Sequence, residues 1–173
     1  MPTYVGLLRG VNVGGKNKVS MSALRALVES LGHHNVTTYI QSGNVVFTAA
    51  KAITPQTLEQ AIARKLGLDI TLVLRTHAEL KQAVKANPFS TADLSKVHVG
   101  FMAAKPKPAV VAALDAEQFS PESFAVKGRE LYLYLPNGMG RTKLPAYLDR
   151  RLKTPTTVRT WNTVLRLLEL AGG

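Results

Sequence analysis

Two stretches, "LVLRTHAELKQAV" at residues 72–84 and "TTVRTWNTVLRLL" at 156–168, decide how the chain is organised. Laid over one another, they place Arg75-Thr76 on Arg159-Thr160. In both, a run with strand character ends at Arg-Thr and passes directly into a stretch with helical spacing. In the first, Thr76 and Glu79 form a T-x-x-E capping box for a helix through about Lys85, closed by Asn87-Pro88. In the second, Thr160 or Asn162 is placed to cap the closing helix. The same joint at two distant places points to an internal duplication.

The elements leading up to each joint agree. Thr3–Val11 reads as a strand, and Ser20 caps a helix with Met21, Leu24, Leu27, Val28 and Leu31 on one face, ended by Gly32. "NVTTYIQ" and "NVVFTA" flank Ser42-Gly43 as a hairpin. Thr54-Pro55 starts a helix striped by Leu58, Ala61, Ile62 and Leu66 and stopped by Gly67, and "DITLVLR" is the next strand. After the link "NPFSTADLSK" the order recurs: strand "KVHVGFMAA", a short helix after the prolines of "KPKPAVV", and a hairpin of "SFAVKG" with "RELYLYLP". A helix "KLPAYLDRRLK" with Leu144, Tyr147, Leu148 and Leu152 inward, the strand "TPTTVRT" and a last helix complete it. The expected fold is therefore α+β. It has two tandem ferredoxin-like (α-β plait) β-α-β-β-α-β repeats, 1–88 and 89–173, each followed by an extra helix.

Composition narrows the function classes. The 173 residues contain no cysteine, which excludes disulfides, thiolate catalysis and Cys-bound metals. The longest apolar runs are too short to cross a bilayer, and "MPTYVGLL" lacks a signal-peptide pattern, so a soluble cytoplasmic protein is expected. Lys and Arg number 22 against 11 Asp and Glu, a net charge of +11. The excess is uneven: residues 127–166 hold nine basic side chains and two acidic ones, while 76–126 hold five of each. Such a field attracts phosphates, whether on nucleic acid or on a small molecule.

"LLRGVNVGGKNKVS", residues 7–20, carries the main candidate site. Gly10 to Lys16 spells G-x-x-x-x-G-K, the frame of a phosphate loop, but Asn17 stands where such a loop needs Ser or Thr for Mg²⁺. No second strand ends in an Asp to hold the metal's waters, and hairpins separate the helices, so triphosphate hydrolysis is not expected. What survives is a long turn in which Arg9, Asn12, Gly14, Gly15, Lys16 and Lys18 gather cations and amides before a helix start. Gln41, Ser42 and Asn44 around Gly43 are either turn formers or a second binding edge beside it. Arg159, Trp161 and Asn162 are either packing and capping residues or a clamp for a base or anion. Tyr132 and Tyr134 alternate with Leu131, Leu133 and Leu135, which places both tyrosines on the sheet face away from the helices. RNA binders of this fold stack bases there, but burial of that face is the simpler reading. Histidines 33, 34, 77 and 98 lack metal-ligand spacing, and no catalytic constellation or cofactor motif is present.

The strings "LLRGVNVGGKNKVSMSALRALVESLG", "VTTYIQSGNVVF" and "TTVRTWNTVLRLLEL" resemble a bacterial family catalogued as a domain of unknown function, number 1697. The resemblance extends over essentially the whole chain and implies two tandem α-β plait units, with no established activity, cofactor or catalytic residues. The family's strings here include Arg9, Gly10, Asn12, Gly14, Gly15 and Lys16, then Ser42, Gly43 and Asn44, then Arg159, Trp161 and Asn162. Asn usually stands between the late Arg and Trp, where this chain has Thr160. The expected partner is a phosphate-bearing small molecule or nucleic acid; a small-metabolite enzyme at the same loop and a homodimer built on exposed sheet faces are the other readings.

Overall fold

The computed structural model describes residues 1–12, 17–39 and 43–172. In chain order the elements are β1 (Thr3–Leu8), α1 (Met21–Ser30), β2 (His34–Tyr39), β3 (Asn44–Thr48), α2 (Pro55–Leu66), β4 (Leu72–Thr76) and α3 (His77–Lys85). Then follow β5 (Val97–Met102), α4 (Pro108–Ala112), β6 (Ser123–Lys127), β7 (Glu130–Tyr134), α5 (Leu144–Leu152), β8 (Thr156–Thr160) and α6 (Trp161–Leu170). The chain divides into two compact units, Met1–Gln82 with Leu165 onward, and Ala83–Val164.

Each unit holds one antiparallel four-stranded sheet, ordered β2-β3-β1-β4 in the first and β6-β7-β5-β8 in the second. The repetition extends to register. Arg75 pairs with Val5 as Arg159 pairs with Val99, and Gly6 pairs with Leu74 as Gly100 pairs with Val158. "YVGLL" (4–8) is thus the structural counterpart of "HVGFM" (98–102). This short repeat is visible in the sequence once the register shows where to look.

Local chemistry explains the element ends. Ser20 accepts a hydrogen bond from the Ala23 N–H at 2.9 Å and starts α1. Thr54 caps α2 with Pro55 in its first turn, and Gly67 ends it at φ 67 with its N–H on Ala63 O. The capping box between β4 and α3 forms: Thr76 N–H donates to Glu79 Oε1 at 2.9 Å, and Glu79 N–H to Thr76 Oγ1 at 3.1 Å. At the matching joint it is Thr160, not Asn162, that accepts from the Thr163 N–H, at 3.3 Å. One boundary differs from the sequence reading. β1 stops at Leu8, not Val11, because Gly10 at φ 71 turns the chain out of the sheet.

The helix-facing side of the first sheet closes over a core containing Leu24, Leu27, Phe47, Leu58 and Ile62. In the second unit, Leu131, Leu133 and Leu135 of the β7 segment meet Leu144, Tyr147, Leu148 and Leu152 of α5. The opposite sheet faces are buried as well: Val5, Leu7, Val46 and Val73 in the first unit, Val97, Val99 and Phe101 in the second. Tyr132 shares that fate. It is 0% exposed and its hydroxyl donates to Ala83 O at 2.6 Å. Tyr134 is half-buried beside Phe89, with ring centroids 5.9 Å apart.

Two buried histidines make stability pH-dependent. His33 packs on Phe47 at 4.9 Å, and burial, with His34 and Lys51 nearby, holds its pKa below the usual value. Burial also lowers His98, against a smaller upward pull from a backbone hydrogen bond of Lys96. The unfolded chain, with histidines near about pH 6.5, therefore binds protons first on acidification. Stability is complete above that value and is lost as pH falls through the lower folded pKa values. Thermal melts at about pH 7.5 and about pH 5 should show the loss, and a His33→Phe variant should lose less. Equal acid sensitivity in that variant would remove His33 as a cause.

Candidate functional site

The turn after β1 is clasped at its base. Arg9 N–H donates to Thr71 O at 2.9 Å, which fixes where the chain leaves the sheet. Gly10, Asn12 and Asn17 all take positive φ (71, 55 and 49), a conformation that glycine tolerates freely and Asn better than most residues. Asn12 N–H donates to Asn17 O at 3.2 Å and closes the neck, and Asn17 Nδ2 donates to Gly10 O at 3.2 Å. The Asn12 amide then spans Val19, its Oδ1 accepting from the Val19 N–H at 2.9 Å and its Nδ2 donating to the Val19 carbonyl at 3.1 Å. Val11 and Val19, both buried, anchor the two limbs in the core. Arg9 and Lys18 stay exposed.

Gly43, from the second polar string, abuts this base. Leu8 N–H donates to Gly43 O at 2.9 Å. Gly43 has φ 87, and a Cβ there would stand 2.6 Å from Val11 Cγ2 and 2.9 Å from Leu8 Cβ. Only glycine lets the β2–β3 turn approach so closely. Asn44 follows it, 0% exposed, with Nδ2 donating to Tyr39 O at 2.8 Å. Both the Asn12 and the Asn44 amide make internal hydrogen bonds. Gly14, Gly15, Lys16, Gln41 and Ser42 lie outside the described residues.

The late candidates belong to the second unit, at the β8–α6 joint. Arg159 is 6% exposed, its Nη1 donating to Thr157 Oγ1 at 2.6 Å and to Val158 O at 3.0 Å. Burial pulls its guanidinium pKa down to about 10. Arg75 repeats the arrangement at the same register of the first sheet, 1% exposed with Nη1 on Leu74 O at 3.0 Å. The sequence aligns these two arginines but marks only Arg159 as a candidate; the structure buries a guanidinium at both equivalent positions of the repeat. Trp161 is 6% exposed, so its ring is packed in the protein, and Asn162 is exposed on the first turn of α6. Among the described residues, no three His, Cys, Asp or Glu side chains gather to hold a metal ion, and no helix is long and apolar enough to cross a membrane.

Comparison with known proteins bears on this arrangement. A family model described as protein of unknown function (DUF1697) matches residues 1–132, which include both strings of the candidate edge. The chain belongs to the DUF1697 family. A solved structure, that of the conserved bacterial protein SP0830 from Streptococcus pneumoniae, is similar to this DUF1697 chain with a TM-score of 0.72. The two are 24% identical over 98% of each chain, and the likeness is one of fold. No curated protein matches the chain.

Proposed function

We propose that this protein binds a phosphate-bearing small molecule through the polar strings of residues 9–18 and 41–44, beside the contact of Gly43 with Leu8 and Val11. The observation that carries the reading is Gly43, whose missing side chain seats one polar string against the base of the other. Two strings of different chemistry, one cationic and one of amide and hydroxyl groups, thus flank a single described contact. Arg9, Lys16 and Lys18 supply the charge, and Gly14, Gly15, Gln41 and Ser42 the close-approach and hydrogen-bonding groups. In this reading Asn12, Asn44 and the asparagine clasp position these groups. The framework is a pair of ferredoxin-like repeats, 1–88 and 89–173, in a cytoplasmic protein; the β-α-β-β-α-β order and the paired strand orders support it.

The net charge of +11 also suits nucleic acid, but the aromatic side chains best placed for base stacking, Tyr132 and Trp161, are buried. That favours the small ligand. The test is a thermal-shift series with inorganic phosphate and phosphate esters. A ligand at about 100 times its Kd stabilises by about 2.7 kcal/mol, or about 5–10 °C for a chain of this size. Lys16→Ala and Lys18→Ala should abolish the shift while leaving the ligand-free melting temperature unchanged. Tight, salt-sensitive binding of RNA or DNA without any response to phosphate esters would replace this reading with the polyanion one.

A further inference from the structure

The run Gly15-Lys16-Asn17-Lys18 before α1 has a counterpart that the duplication does not explain: Gly140-Arg141-Thr142-Lys143 before α5. Each is a glycine, a cation, a polar residue and a second cation. The two sit at different topological positions, one after the first strand of its unit and the other after the third. In the second unit Arg141, Thr142 and Lys143 of this run line a cavity of about 540 Å³, together with residues 118–122, Asn137 and Gly138. That is within the range of small-molecule sites.

The polar groups around the cavity are of two kinds. Arg141 and Lys143 are exposed, and among the described residues neither side chain has a hydrogen bond or ion pair. Before α5, Thr142 Oγ1 accepts from the Leu144 N–H at 3.2 Å, and attraction for an anion is supplied chiefly by the two side-chain cations. Glu122, Ser120 and Asn137 line the same cavity and offer acceptors that a pure anion site does not need. A carboxylate beside two cations repels a bare anion but accepts from ligand hydroxyl groups.

We propose that this cavity is a second binding site, taking a polyhydroxylated phosphate monoester of sugar-phosphate size. Arg141 and Lys143 hold the phosphate, and Glu122 with Asn137 holds hydroxyl groups. The site lies wholly in the second unit and stands independently of the first-unit reading.

The experiment is an NMR titration of the full chain with a hexose phosphate, the free hexose and inorganic phosphate. The hexose phosphate should shift the backbone amides of the two cavity segments saturably, inorganic phosphate should do so more weakly, and the free hexose should not. The double variant Arg141→Gln, Lys143→Gln should bind about 100-fold more weakly, about tenfold for each charge-assisted hydrogen bond removed. Glu122→Gln should weaken the hexose phosphate and spare inorganic phosphate. A Lys16→Gln, Lys18→Gln variant should keep these shifts; their loss there would assign the ligand to the first-unit loop and overturn the proposal. Cavity amides that stay still up to about 10 mM hexose phosphate, or that move equally in the Arg141/Lys143 variant, would overturn it too.

Discussion

Gly43→Ala is expected to destabilise the protein by about 3 kcal/mol, read as a lower denaturant midpoint at unchanged slope. Two costs combine. At φ 87 an alanine is held in a left-handed conformation, about 1–2 kcal/mol unfavourable for a residue with a Cβ. The new methyl would also lie 2.6 Å from Val11 Cγ2 and 2.9 Å from Leu8 Cβ, where neither atom is the free end of a long chain. Relieving that clash means separating the β2–β3 turn from the loop base. Gly32→Ala separates the two costs, since Gly32 has a similar φ of 90 but open space around it. It should cost only about 1 kcal/mol. If the two variants lose equal stability, the close approach contributes nothing and the contact is not built as described. Gly43→Ala should also lose the phosphate-dependent thermal shift while Gly32→Ala keeps it.

Trp161→Ala is expected to cost about 3–5 kcal/mol, the usual loss for emptying a buried aromatic site. Trp161→Phe retains part of the packing and should cost less. Because Trp161 is the only tryptophan, its fluorescence reports its surroundings directly. A ring 6% exposed should emit at short wavelength and shift red only on unfolding. Phosphate-dependent stabilisation should persist in Trp161→Phe. A loss of binding with intact stability would return this residue to the site and make its burial secondary.

Most of the architecture is legible from residues because local and global preferences agree. The Thr76–Glu79 box, the Thr54-Pro55 start and the stripe of Leu144, Tyr147, Leu148 and Leu152 each have one satisfactory conformation, which the structure adopts. The end of β1 is not legible. Val11 looks like a strand residue, but its hydrophobicity serves an anchor after the turn, and periodicity cannot separate those uses. The roles of the polar residues around the loop base are not legible either. An asparagine among glycines and lysines looks the same whether its amide awaits a ligand or, as at Asn12, spans the backbone of Val19. Arg159 resembles a ligand clamp for the same reason, until its register shows Arg75 buried at the matching position. What betrays such residues is their geometric partner, and that is distant in sequence.

The division of α6 between the two units bears on how the chain is made. Val164 ends the second unit's residues, while Leu165 onward belongs with the first. A ribosome adding about 5–20 residues per second therefore takes about 4–17 s after Gln82 to reach Leu165, where the first unit resumes. During that interval the first sheet has all four of its strands but lacks the helical segment from Leu165 onward. Its final consolidation waits for the residues from Leu165 onward, so the amino-terminal half gains no head start as a finished domain.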